Sequence, residues 1–255
     1  MKVTVYGTGL IGGSFALALK RAFPDIQIAG VDSPEVLKRA LELKIIDVAG
    51  PDAADLIVLA TPIGEILRLL DRVPTATLIT DVGSTKAAIC EKAAQRGLNF
   101  VGGHPMAGLE HSGPEAAHAS LFEGAPFFLC TIRSTSLNAL ETMKALVTAI
   151  GAVPHVMSPE EHDRLVAQIS HLPQIISSAL ADQTARHSEL AGPGLRSMTR
   201  MASSPFHIWR DIFGTSGYLP HELRAFILRL QTVLDSLEAG DSKGLEKLFK
   251  RGGSN

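Results

Sequence analysis

The hydrophobic positions of this chain follow two periods in succession. Up to about residue 155, short runs of Val, Ile, Leu and Phe end at Gly, Asp or Pro: Val3–Tyr6, Ile26–Val31, Asp55–Ala60, Thr77–Val82, Asn99–Val101 and Phe127–Leu129. These read as strands, and their near-continuous apolar character predicts a parallel sheet covered on both faces. Between them Ser14–Ala22, Pro34–Leu43, Gly64–Arg72 and Thr85–Arg96 carry helical spacing, so the expected class is α/β. After Pro154 the pattern changes. Leu165, Ile169, Leu172, Ile176 and Leu180 recur at intervals of three and four, and Leu223–Leu237 forms a second periodic stretch. The boundary is expected near residues 152–158, giving domains at 1–155 and 156–255, the second all-helical. About 100 helical residues make a thin core for an isolated unit, so a homodimer joined through these helical faces is expected.

Composition narrows the classes. The chain has 255 residues, 45% hydrophobic and 20% charged, with 24 Lys+Arg against 26 Asp+Glu. The apolar fraction excludes a disordered chain, and a net charge of -2 argues against nucleic acid as a partner. Cys90 and Cys130 are too few for a disulfide framework and fit a reducing compartment. Met1-Lys2 leads straight into an apolar run without a signal-peptide pattern. No stretch approaches the roughly 18 apolar residues of a membrane span. A cytoplasmic protein with a small-molecule substrate is the expectation.

Gly7-Thr8-Gly9-Leu10-Ile11-Gly12 follows the first strand and opens a helix. The first glycine permits a tight turn, the second lets backbone approach a pyrophosphate, and the third allows close helix–strand packing. The helix N-terminus, with Leu10 and Ile11, supplies N–H donors to the anion. Asp32, twenty residues beyond Gly12, ends the second strand and can accept hydrogen bonds from a ribose diol. This is a Rossmann fingerprint, and the acidic residue would repel a 2′-phosphate. Neither Ser33 nor Pro34 offers a compensating arginine, so NAD is expected rather than NADP.

In an open parallel sheet the ligand lies at the carboxyl ends of the strands. Thr61-Pro62, Ser84 and His104 stand at three such ends, the first pair as cofactor contacts. Ser84 is also a candidate N-cap for the helix beginning Thr85-Lys86. His104 sits between Gly102-Gly103 and Pro105, a shaped turn. A neutral imidazole there suits a hydrogen-bond acceptor for a hydroxyl undergoing hydride transfer.

The helical half holds His162-Asp163 and His171. Nine residues apart on a continuous helix, the two histidines would face opposite ways, so no metal site is expected. Pro173 should kink that helix and could turn His171 toward a cavity. Between Lys144 and Lys243 every fixed cation is an arginine, which suits a substrate bearing carboxylates. Arg200 and Arg210 have apolar neighbours and are the better candidates, although Arg210 has Asp211 beside it as a partner.

Taken together, GTGLIGGS at 7–14, DVGSTK at 81–86, GGHPMAGLEHSG at 102–113, HDRLVAQISHLPQ at 162–174, MTRMASS at 198–204 and WRDI at 209–212 resemble the prephenate (or arogenate) dehydrogenases of tyrosine biosynthesis. The resemblance covers both halves in order. It implies a Rossmann domain, a helical dimerisation domain and oxidative decarboxylation of prephenate to 4-hydroxyphenylpyruvate, CO2 and NADH. By motif position it implies His104 as the catalytic histidine and Ser84 as its hydroxyl partner. Arg200 would hold a substrate carboxylate, His171 would line the pocket, and Glu110 would stand beside it. The chain departs from the family pattern at Gln174, where a second histidine is common, at Leu109, where a hydroxylated residue is common, and at Ser197, where an acid is. These bear on pocket polarity, so arogenate remains an alternative substrate. A β-hydroxyacid-type dehydrogenase is a further alternative, disfavoured by the lysine-free stretch. A non-catalytic NAD sensor would leave His104 and Ser84 unexplained.

Overall fold

A computed structural model describes residues 1–109 and 111–252, with the side chains described as far as residue 250. The first half is a single sheet of eight strands: β1 Lys2–Tyr6, β2 Gln27–Val31, β3 Val48–Ala49, β4 Leu56–Leu59, β5 Leu78–Asp81, β6 Phe100–Pro105, β7 Pro126–Thr131 and β8 Val153–Met157. Their order across the sheet is β3-β2-β1-β4-β5-β6-β7-β8. The strands from β3 to β6 run parallel, as their apolar runs predict. One part of the expectation fails: β7 is antiparallel to β6, so the sheet is mixed.

Helices α1 Leu10–Ala22, α2 Pro34–Glu42, α3 Ile63–Leu69, α4 Ala87–Gln95 and α5 Leu137–Ala149 cover the two faces. Each face has its own apolar core. Val3, Val5, Phe15, Phe122 and Phe127 anchor one, and Leu59, Ile66, Ile79, Ile89 and Phe100 the other. The chain crosses from β3 at one edge back to β4 beside β1, so the strand order reverses between β1 and β4. That reversal opens a crevice at their carboxyl ends, where a doubly wound sheet takes its ligand.

The remainder is helical: α6 Pro159–Val166, α7 Leu172–Thr184, α8 Pro193–Thr199, α9 Phe206–Thr215, α10 Leu219–Glu238 and α11 Ser242–Gly252. A capping box starts α6, with Ser158 and Glu161 exchanging hydrogen bonds. A π-helical turn, Ala167–His171, joins α6 to α7. It ends two residues before Pro173, whose missing N–H cannot continue the α-helical ladder. The extra residue of that turn changes which side chains face inward. Val166, Ala167, His171, Gln174 and Ser177 are buried, whereas Ile169 of the expected apolar stripe is 52% exposed. His162 and His171 are both fully buried. Among the described residues no helix is long and apolar enough to cross a membrane.

Candidate active site

The glycine loop leaves β1 with Gly7 at φ +89°, a conformation that favours glycine. A side chain at Gly12 would collide with Gly7 O and Ala60 Cβ, so this glycine seats α1 against the sheet. A Cβ on Gly9 would meet nothing within 4 Å. Gly9 is also the N-cap of α1, without a side-chain cap and with no acid in the first turn. An open backbone at a helix N-terminus is what an anionic pyrophosphate requires. The Asp32 carboxylate, at the end of β2, is oriented by the N–H groups of Thr8 (2.7 Å) and Ser33 (2.8 Å). Its remaining lone pairs suit a ribose diol. Leu10, Ile11, Thr61 and Pro62 line a cleft of about 360 Å³ beside this loop. Thr61 Oγ1 is buried there without a hydrogen-bond partner in the protein, a second sign that the cleft is built for a polar ligand.

The cleft runs into a larger cavity of about 650 Å³, and the two share Ser84, Leu109, His111, Ile208 and Ile212. Ser84 follows β5 in a segment held by a fully buried ion pair between Asp81 and Lys86. The Asp81 carboxylate also accepts N–H groups from Gly83 (2.9 Å) and Gly103 (3.1 Å), tying this segment to β6. The capping expectation for Ser84 is corrected, because α4 begins only at Ala87. Its orphan donors are met by Asp163 of α6, which accepts from Lys86 N (2.7 Å) and Ala87 N (2.9 Å). Ser84 lines both cavities, and its hydroxyl has no protein hydrogen-bond partner among the described residues.

His104 lies near the end of β6 in the wall of the larger cavity. The paired glycines before it have a packing reason. A side chain at Gly103 would strike Asp81 O, and one at Gly102 would crowd Cys90 Sγ at 2.9 Å. His104 Nδ1 hydrogen bonds His162 Nε2 at 2.8 Å, and His162 Nδ1 meets Asp163 Oδ1 at 2.8 Å. Burial, then the neighbouring His162, Lys86 and His171, hold the His104 imidazole well below its ordinary value. The ring is therefore neutral at physiological pH.

Arg200 stands in the wall of the same cavity, with Met201, Trp209 and the half-buried Ser170. Arg210 does not line it; its guanidinium lies 3.5 Å from Asp211, and the Asp211 carboxylate accepts Gly64 N at the start of α3. His171 is set behind the wall rather than in it, its Nδ1 2.8 Å from Ser216 Oγ and its Nε2 buried without a partner. Burial lowers its pKa to about 4. Gln174, one turn further on, reaches the cavity instead and is fixed by the Met201 carbonyl (2.9 Å). Leu109 lines both spaces, whereas Ser197 is exposed and lines neither. Glu110 lies outside the described residues. Sequence reasoning passed over Trp209, His111 and the link from His104 to Asp163. The adjoining His-Asp at 162–163 is the signal that could have found the last.

Comparison with known proteins gives matches over both halves of the chain. The family model for the prephenate dehydrogenase nucleotide-binding domain matches residues 15–156, and that for the prephenate dehydrogenase dimerization domain matches residues 158–251. The chain is 37% identical to a prephenate dehydrogenase of Bacillus subtilis (strain 168), over 98% of this chain and 74% of that protein. Its fold is similar to that of a prephenate dehydrogenase from A. aeolicus in complex with hydroxyphenyl propionate and NAD+, with a TM-score of 0.92, 28% identity, and 99% and 96% of the two chains covered. A Synechocystis arogenate dehydrogenase gives a TM-score of 0.82 at 29% identity, covering 98% of this chain and 97% of the other. With matching models over both halves, and a mixed eight-stranded sheet followed by helices, this chain belongs to the prephenate dehydrogenase family.

Proposed function

We propose that this protein is an NAD-dependent prephenate dehydrogenase of tyrosine biosynthesis, acting in the cytoplasm as a homodimer. The observation that carries the reading is the junction itself. A cleft built on a dinucleotide fingerprint opens into a cavity walled by a neutral histidine, a free hydroxyl and an arginine. Its volume suits a small molecule. When bound in the cleft, NAD supplies the hydride acceptor. Gly7, Gly9 and Gly12 with the first turn of α1 would hold its pyrophosphate, and Asp32 its ribose.

The chain's own residues then have separate tasks. Arg200 binds a substrate carboxylate, which a guanidinium fork can do bidentately. His104 accepts a hydrogen bond from the C4 hydroxyl, assisted by Ser84. As hydride leaves C4, that oxygen develops positive character and its hydrogen becomes more acidic, so the bond to His104 strengthens in the transition state. The carbon–carboxylate bond breaks, and its electron pair completes the aromatic ring. The reaction releases no net proton, since the hydroxyl hydrogen ends on the phenol. The Trp209 and Met201 side chains supply apolar walls that exclude water.

Prephenate and arogenate differ only in a keto or an amino side chain. Arogenate recognition calls for a carboxylate near its ammonium, whereas Arg200 in the cavity wall favours a ligand rich in carboxylate. Measuring kcat/KM for both compounds on one preparation tests the choice. We expect prephenate to be preferred, and a value for arogenate about tenfold higher would reverse the assignment.

A further inference from the structure

Two imidazoles and a carboxylate run back in line from the cavity wall: His104 on β6, then His162 and Asp163 on α6. We propose that His162 and Asp163 are positioning residues that decide which nitrogen of His104 carries its hydrogen, leaving Nε2 bare as the acceptor offered to the substrate hydroxyl. The proposal rests on the assignment of His104 as that acceptor.

The reasoning starts at Asp163. Its Oδ1 accepts Lys86 N at 2.7 Å, and its Oδ2 accepts Ala87 N at 2.9 Å. Both oxygens therefore accept backbone N–H groups at the N-terminus of α4. An ionised carboxylate only accepts hydrogen bonds, so His162 Nδ1, 2.8 Å from Oδ1, must bear hydrogen. In a neutral ring the other nitrogen, Nε2, is then a lone pair. It lies 2.8 Å from His104 Nδ1, which must in turn donate. A neutral His104 with hydrogen on Nδ1 has no hydrogen on Nε2. That nitrogen has no protein partner among the described residues, and the ring lines the cavity.

The surroundings hold this pattern in place. Phe128, directly opposite His104 in the β6–β7 register, packs against both imidazoles with centroids 6.2 Å and 5.3 Å away. The titratable groups acting on His162 are Asp163 beside it, His104 from β6, Asp81 from β5 and Lys86 before α4, with His171 reached across the π-helical turn. Burial lowers the His162 pKa and Lys86 adds to this, while Asp163 opposes them. Protonation of His162 would reverse the line: its Nε2 would donate to His104 Nδ1, and Nε2–H of His104 would then face the substrate hydroxyl as a donor. The helical domain thereby presets the chemistry of a side chain belonging to the sheet.

The tautomer is measurable without any turnover. Nitrogen-15 shifts of labelled histidine distinguish the two neutral forms, and His104→Asn assigns the signal by removing it. We expect His104 in the unmodified protein to carry hydrogen on Nδ1. Its finding on Nε2 overturns the proposal, whatever the variants do. Two substitutions then separate positioning from packing. Phe at 162 fills the ring's space but cannot accept, so His162→Phe should lower kcat by about 100-fold with little change in the KM for prephenate. His162→Gln can offer an amide oxygen to His104 Nδ1–H and should restore most of kcat. A purely structural role predicts the opposite ranking, and full kcat in His162→Phe would refute the relay. A fully active His104→Asn would instead strike the function proposed above, leaving the tautomer result to stand for the relay alone.

Discussion

His104 and Arg200 share one cavity but are asked to do different things. Burial and its neighbours hold the His104 imidazole well below its ordinary pKa near 6.5, so it is a neutral acceptor across the physiological range. In the proposed reaction its bond to the substrate hydroxyl tightens only as hydride departs. Replacing it with Asn should therefore lower kcat by about 10²–10⁴-fold while KM changes little. The substrate carboxylate proposed for Arg200 is present before and during reaction, so Arg200→Ala should mainly raise KM. Steady-state kinetics on the two variants separates these patterns, and an identical split for both would contradict the division of labour. The acid limb follows from the same shift. Activity is lost as pH falls through the His104 pKa, so kcat/KM should stay level below pH 6.5 and decline only at clearly lower pH.

At the scale of elements, two helical-domain carboxylates hold down two helices of the sheet domain. Asp163 receives the start of α4 and Asp211 that of α3, both at the crevice. Between them the buried Asp81–Lys86 pair fixes the segment carrying Ser84. Lys86→Met would leave Asp81 without its counter-charge in a fully buried site. We expect it to destabilise the protein by about 3–5 kcal/mol, read by denaturant unfolding, with a loss under 1 kcal/mol counting against this account. Much of this level was legible in the sequence. The glycine fingerprint, Asp32 and the six apolar strands are local signals, and they lie where their pattern puts them. The two missed strands are edge pieces. β3 is two residues long, and β8, Val153–Met157, is interrupted by Pro154 and largely solvent-facing, so neither bears an apolar run. The direction of β7 depends on its partner rather than on its own residues. The contact of His104 with His162 joins positions 58 apart and arises only when α6 folds back over the sheet. His171 lies behind the cavity wall after a π-helical turn that shifts the inward face, a displacement that three-and-four spacing does not encode.

For the whole molecule, the helical half leaves large apolar side chains exposed. Along the twenty residues of α10, Leu219 alone is buried among the described residues, while Ile227, Leu228, Leu230, Leu234 and Leu237 are 45–68% exposed. Further apolar side chains, Met198 and Phe206 among them, stand open nearby. Such a surface matches the dimerisation role of the family's second domain. Light scattering at micromolar concentration should give twice the 27.1 kDa chain mass, and a fully active monomer would contradict the homodimer.

The central claim is a coupling: hydride transfer from one carbon of prephenate and loss of CO2 from another occur in the same cavity as one oxidation. Incubating the purified protein with prephenate and NAD, and measuring NADH and CO2 together, tests it most directly. We predict equal amounts of both, with 4-hydroxyphenylpyruvate as the organic product. NADH without CO2, or neither from prephenate while NAD still binds, would contradict it.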